Sequence, residues 1–528
     1  MPAPRSSTSA IGRRAFLGGA GALGGALAAG RLAAPAAAAP PPRPAGGLFA
    51  LGVASGDPTP DGFVIWTRLA PDPLAPGGGM PPEPIPVDWE VALDEGFRRI
   101  RHRGTAVARP EWAHTLHVEL RGLEPDRWYW YRFRARGTVS PAGRSRTIPA
   151  RGASLVRLRF AFASCQHWEQ GYFTAYRAML DDGLDLLVHL GDYIYETPSG
   201  ADQVRRHEAP EPVTLEDYRA RHALYKLDPD LQRAHAAYPW LVTWDDHEVD
   251  NDYAGAESQD RDPPDVFLRR RAAAYQAYWE HLPLRPAAQP RGPSMRLYQR
   301  VTWGDLLEVA VLDTRQYRSD QPCGEGRRGG GNVVAECPAR LDPAQTMIGP
   351  EQERWLLLSL ERSPARWNLI AQPLLMAELR QRTAAGAEAY WTDGWDGYAA
   401  ARARILTHLA SRRVSNPVVI GGDIHSFWVT DLKIDVRDAA AAPVATEFVG
   451  TSITSLGVPY ETFAAYLPDN PHVRFFESRL RGYVRCEVTP RRWTTDLRVV
   501  DDVRDPEGRA RTLAAFAVED GRPGAVRA

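Results

Sequence analysis

Hydrophobic spacing changes twice along the chain and divides it into three stretches. Residues 15–30 carry no charge and are bounded by Arg13, Arg14 and Arg31. From 48 to 150, short apolar or alternating runs at 63–66, 87–93, 115–120 and 128–135 are separated by turns rich in Pro, Gly and Asp. Alternation at a period of two sends successive side chains to opposite faces of a strand, so this stretch predicts an N-terminal β-domain. Tyr129, Tyr131 and Phe133 then share one face as core aromatics, in the manner of a fibronectin/Ig-like β-sandwich.

From 157 to 510 short buried runs alternate with helical stretches, the texture of an α/β domain. Strands are expected at 158–163, 184–190, 241–244, 306–312, 368–371, 418–420, 447–449, 484–488 and 494–499. Helices are expected at 174–181, 214–225, 230–237, 265–281, 350–363 and 398–411. Residues 324–331 form a glycine/arginine loop between Cys323 and Cys337.

The first stretch reads as an address. A basic region, a short apolar core and small-residue A-x-A sites make residues 1–39 a secretory signal peptide. Gly12-Arg13-Arg14-Ala15-Phe16-Leu17 resembles a twin-arginine signal, which makes the twin-arginine export machinery a partner and the location periplasmic or extracellular. The apolar core is too short and too rich in Gly and Ala to span a bilayer, and no transmembrane segment is expected elsewhere. In an exported protein, Cys323 and Cys337 are expected to pair locally, whereas Cys486 is expected to be a packed strand thiol.

Charge adds exclusions. Lys+Arg is 64 against Asp+Glu 65, which gives no argument for a nucleic-acid-binding patch. Only Lys226 and Lys433 are lysines, and neither follows glycine, so a Walker A phosphate loop is absent. No G-x-S-x-G elbow or H-E-x-x-H motif occurs, which excludes the commonest serine-hydrolase and zincin signatures.

The chemistry collects after four strands. These are followed by Ser164-Cys165-Gln166-His167, by Gly191-Asp192-Tyr193-Ile194-Tyr195-Glu196, by the run from Asp245-Asp246-His247-Glu248 to Asn251, and by Gly421-Gly422-Asp423-Ile424-His425. In open α/β folds the loops beyond the carboxyl ends of strands converge on the functional site. Burying four ionisable residues in a row is costly without a metal or a network to satisfy them. Asp423 and His425 would point to one side if the preceding strand continued through them.

Together with Leu51-Gly-Val-Ala-Ser-Gly-Asp57, Val64-Ile-Trp-Thr-Arg68, Leu312-Asp-Thr-Arg315 and Glu447-Phe-Val-Gly-Thr-Ser452, these motifs resemble the PhoD-like alkaline phosphatase/phosphodiesterase family of calcineurin-like metallophosphoesterases. The resemblance implies a β-sandwich followed by a four-layer α/β/β/α catalytic domain. It further implies Asp192 as a carboxylate bridging two metals, and Cys165, Tyr195 and His425 as ligands of Fe3+. Asp246 and Asp423, with Asn251 as a further oxygen donor, would hold Ca2+, whose preference is for hard oxygen ligands.

The expected reaction is in-line attack on phosphorus by metal-activated water, on a phosphate monoester or diester. His247 is the candidate for protonating the leaving oxygen, or else a residue that orients Asp246. Arg315 is the candidate for gripping phosphate, or else an ion-pairing residue. Two alternatives are a phospholipid-cleaving phosphodiesterase and a non-catalytic secreted binding protein.

Overall fold

The computed structural model describes residues 47–200, 203–324 and 328–528. The expected signal peptide lies outside the described residues. The fold is mixed α/β and is built on two large sheets.

The first sheet has ten strands, running from Arg522–Arg527 at one edge through Ala510–Glu519, Arg492–Val500, Arg481–Val488, Leu158–Ala163, Leu186–Leu190, Pro239–Thr243, Val53–Thr59 and Gly62–Arg68 to Thr115–Glu119. The second has seven, in the order Gln299–Trp303, Leu307–Val311, Trp367–Ala371, Pro417–Gly421, Ala445–Val449, Phe427–Leu432 and Val473–Glu477. Leu158–Ala163, Leu186–Leu190 and Pro239–Thr243 are mutually parallel, so their carboxyl ends open on one side.

Both faces of these central strands are covered, which is why they read as unbroken apolar runs. Phe160, Phe162, Val188 and Leu241 of the first sheet pack against Val309, Leu369, Val418 and Ile420 of the second. Helices Thr174–Met179, Leu215–Lys226, Pro229–Ala237 and Pro264–His281 bury Tyr176, Tyr218, Leu231 and Tyr275 with Trp240 and Val242. Helices Gly349–Glu361 and Ala399–Ser411 bury Leu356 and Ile405 with Ile370 and Val419. These six helices lie where the sequence places them, and Tyr460–Ala464 adds a short seventh.

A five-stranded sheet built on Ile85–Ala92, Ile100–Ala108 and Trp128–Ala135 packs on the N-terminal strands. Tyr129, Tyr131 and Phe133 share that core with Phe63, Ile65 and Val87, as the alternation predicts. Val53–Thr59 also pairs in parallel with Pro239–Thr243, through Ser55 opposite Pro239 and Gly56 opposite Trp240. Three N-terminal strands therefore extend the ten-stranded sheet across the stretch that separates the two expected domains. The Val-Ala-Ser-Gly-Asp-Pro-Thr segment lacks alternating large apolar residues, so pattern alone passes over it.

Cys323 and Cys337 form a disulfide, and Cys165 and Cys486 are buried free thiols. Among the described residues no helix is long and apolar enough to cross a membrane.

Candidate metal centre

The loops after Leu158–Ala163, Leu186–Leu190, Pro239–Thr243 and Pro417–Gly421 meet at one place, drawn from both large sheets. Two glycines allow the approach. A Cβ on Gly191 would stand 2.5 Å from the Asp245 nitrogen, and one on Gly422 would stand 2.3 Å from Ser164 Oγ. Asp192 directly follows the first of these and Asp423 the second.

Four candidate ligands share an uncommon backbone. Cys165, Asp192, Asp423 and His425 have φ of 60°, 55°, 59° and 53°, in the left-handed region where a side chain is strained. Such strain persists where surrounding structure over-determines it, and it concentrates at functional sites. The same angles overturn the expectation that Asp423 and His425 project together from an extended strand. They sit in a turn before Phe427–Leu432 begins, and the turn separates them: Asp423 groups with the aspartates and His425 with the thiol.

Among the described residues three groups of donor atoms occur, each with its atoms within 4.8 Å of one another: Cys165, Asp192 and His425; Asp192, Asp246 and His247; and Asp245, Asp246 and Asp423. Asp192 belongs to the first two groups and Asp246 to the last two, so the set is continuous. Tyr195 Oη donates to Asp192 Oδ2 at 2.8 Å and lies 3.0 Å from His425 Nε2. His425 Nδ1 lies 2.8 Å from the Leu456 carbonyl oxygen, so this nitrogen carries the proton and Nε2 faces the site as an acceptor. Asn251, the remaining expected donor, places its backbone N–H on Glu196 Oε1 at 3.0 Å.

The electrostatics describe a cradle short of positive charge. Burial, and then the Asp192 carboxylate, push the Cys165 thiol well above its ordinary pKa. The same two causes, in the same order, raise the Tyr195 phenol. Burial raises Asp245, with Asp246, Asp423 and Asp192 adding to it against the opposing pull of Arg315. Asp192 Oδ1 and Asp245 Oδ2 are buried without a hydrogen-bond partner among the described residues. Buried carboxylate oxygens are ordinarily satisfied, and a bound cation would satisfy both while relieving the mutual repulsion of the acids. The donor set therefore fits metals.

His247 Nδ1 lies 2.7 Å from Glu196 Oε2. Burial opposes its protonation, but Glu196, Asp246 and Asp192 together hold the imidazole protonated well above its usual range. Arg315 is fully buried behind the site. Its Nε donates to Asp245 Oδ1 at 2.5 Å, Nη1 to Asp393 Oδ1 at 3.1 Å, and Nη2 lies 3.7 Å from Asp246 Oδ2. This geometry is that of the ion-pairing alternative.

Several contributors escape a reading of the sequence. Asp245 brings a carboxylate into the third donor group. Glu248 accepts backbone N–H groups from Asp192, Tyr193 and Asp245. Glu196 orients His247. The Asp245–Glu248 run of ionisable residues was the available signal for two of them; nothing local marks Glu196 as a partner of a histidine 51 residues away.

The family model described as PhoD-like phosphatase matches residues 160–497, and that of the PhoD-like phosphatase N-terminal domain matches residues 34–149. Alkaline phosphatase D of Bacillus subtilis (strain 168) is 47% identical over 484 residues, covering 90% of this chain and 82% of that protein. A solved structure of PhoD superposes with a TM-score of 0.86 at 46% identity, covering 92% of this chain and 93% of that one.

Proposed function

The chain belongs to the PhoD-like phosphatase family and is thereby a phosphoric ester hydrolase, and on that premise we propose that it is an exported, metal-dependent phosphomonoesterase/phosphodiesterase of the alkaline phosphatase D type. The observation that carries the metal dependence is Asp192, a buried carboxylate shared by two donor groups with one oxygen that has no hydrogen-bond partner among the described residues.

On this reading Cys165, Tyr195 and His425 would hold Fe3+, Asp246, Asp423 and Asn251 would hold Ca2+, and Asp192 would serve both. Thiolate and phenolate suit a Lewis-acidic iron, and oxygen donors suit calcium. Bound metals would supply Lewis acidity toward the phosphoryl oxygens and lower the pKa of water to about 7.

The chain's own residues do the rest. Water would attack phosphorus in line with departure of the ester oxygen and give up its proton to solvent, while His247 delivers a proton to the departing oxygen from Nε2, since Nδ1 is engaged by Glu196. Glu196 favours the protonated imidazole. Arg315 acts from behind, holding Asp245 and Asp246 in place rather than gripping phosphate.

The two-sheet core with helices outside it supports a four-layer α/β/β/α reading of residues 157–510, and the core around Tyr129 and Tyr131 supports a sandwich reading of 48–150. Residues 1–39 support export by the twin-arginine route.

One observation favours the phospholipid diester as a second reading. Leu456, whose carbonyl lies 2.8 Å from His425 Nδ1, is an apolar residue 57% exposed to solvent. Assays on p-nitrophenyl phosphate, its bis ester and a phospholipid, each with and without chelator, separate these substrates, and elemental analysis identifies the metals. An Asp192→Asn protein with undiminished turnover would overturn the site.

A further inference from the structure

Arg481 opens the Arg481–Val488 strand and is only 7% exposed. Its Nη1 donates to the His425 carbonyl at 3.0 Å, to Ser452 Oγ at 2.8 Å and to the Ser455 carbonyl, while Nη2 donates to the Ser478 carbonyl. All four acceptors are neutral, and no carboxylate among the described residues pairs with it. Glu477 lies close in sequence, but its carboxylate is held by Arg479 at 2.7 Å.

A buried guanidinium without a counter-charge is costly, so its surroundings need an account. The guanidinium is also built in tightly. A Cβ on Gly457 would stand 2.4 Å from Nη2 and 2.0 Å from the Ser478 carbonyl oxygen it binds.

Its grip reaches Tyr195 by two routes. One is His425, whose Nε2 is 3.0 Å from Tyr195 Oη. The other is Ser455, whose Oγ lies 2.7 Å from Tyr195 Oη and 2.8 Å from the Cys165 carbonyl oxygen. All three donors on this side of the site are thus tied to residues that Arg481 holds.

We propose that Arg481 is a positioning residue for the Cys165, Tyr195 and His425 side of the site: it fixes the two carbonyls from which that shelf hangs and so keeps its three donors in place. The role rests on the metal-dependent reading above. It predicts an asymmetric defect, in which the ion held by thiol, phenol and imidazole is lost while the ion held by the aspartates stays.

The test compares the full-length wild type with Arg481→Met, Arg481→Lys and Arg479→Met. Bound metals are measured by elemental analysis after a fixed chelator challenge, and kcat and KM on p-nitrophenyl phosphate. Arg481→Met is expected to lose one ion selectively, with kcat reduced about 10–100-fold, the usual effect of removing a residue that orients metal ligands. KM should stay within about threefold, because the defect lies in the reacting assembly rather than in ground-state binding. Arg481→Lys, which keeps the charge without the fork, should recover part of both losses, and Arg479→Met should match the wild type.

Wild-type metal content and kcat in folded Arg481→Met would overturn the proposal. Loss of all metals together, with melting lowered equally in metal-loaded and metal-stripped protein, would also overturn it by making Arg481 purely structural. If Arg481→Met does not fold, Ser455→Ala removes one arm of the shelf and should show the same selective loss; retention of both ions there would be adverse. An active wild type free of metal would instead overturn the underlying functional reading, a result visible without any variant.

Discussion

Glu248 accepts the backbone N–H of Asp192 at 3.1 Å, although the two residues come from different loops. The same carboxylate takes the N–H of Tyr193 at 2.6 Å and of Asp245 at 2.9 Å, so one side chain fixes the spacing between two ligand-bearing loops. Glu248→Ala strands three buried donors, and each orphaned group costs about 1–3 kcal/mol. We expect a markedly lower melting temperature and metal affinity reduced about 10–100-fold. Calorimetry with a metal titration checks both, and wild-type affinity in the variant would show that the loops hold their spacing without it.

Arg315 yields a sharper discrimination, because its two expected roles give opposite signatures. Its guanidinium neutralises Asp245 and Asp393, both buried, and Asp393 also binds Arg318 at 2.5 Å. Breaking a buried pair leaves an uncompensated charge and costs about 3–5 kcal/mol. Arg315→Met should therefore unfold well below the wild type, while the folded fraction keeps its KM. A phosphate-gripping arginine would instead raise KM with melting unchanged.

The strands that carry the site were legible because strands covered on both faces are continuous apolar runs, and polar residues at their carboxyl ends stand out against them. Asp192, Asp246 and Cys165 could be singled out on that ground. Arg481 could not. Its acceptors at 425, 452, 455 and 478 belong to three separate loops, and in a chain where 62 of 64 basic residues are arginine no single one draws notice. Val53–Thr59 was hidden for another reason: its partner in the sheet lies some 180 residues away, as Ser55 opposite Pro239 shows. For Asp423 and His425 the expected geometry gives way, since left-handed φ values replace strand alternation, and the turn still brings both into donor groups.

Glu447 predicts a pH dependence away from the candidate metal ligands. Its carboxylate is buried in Ala445–Val449, accepts N–H groups from Met376 at 2.6 Å and Ala377 at 3.0 Å, and receives the Thr430 hydroxyl. Burial pushes its pKa up from 4.5 to about 7 despite these bonds. The folded state thus keeps a proton that the unfolded state has released between these values, and this contribution to stability falls as pH rises through the window. The slope approaches about 1.4 kcal/mol per pH unit for one full proton. Glu447→Gln should flatten the curve of unfolding free energy against pH between 5 and 7, and an unchanged slope would remove Glu447 as the cause.

The Cys323–Cys337 disulfide closes a loop of sequence separation 14, whose Gly331 contacts a residue beside the candidate metal centre. Gly331 N–H donates to Asp252 Oδ2 at 3.0 Å, and Gln321 Nε2 binds the Asp252 carbonyl at 2.6 Å and Asp393 at 2.8 Å. Asp252 N–H in turn donates to Asp246 Oδ2 at 2.7 Å, so the loop reaches a candidate ligand in two steps. Constraining a loop of this length contributes about 3 kcal/mol in the chain-entropy model. Replacing both cysteines by serine should speed amide exchange at Gly331 and Asp252, with Leu186–Leu190 as protected as before. The local opening follows because the hydrogen bonds remain available but must now order a free loop. Exchange at Gly331 and Asp252 as slow as in the oxidised protein would show that these bonds hold the loop without the cross-link.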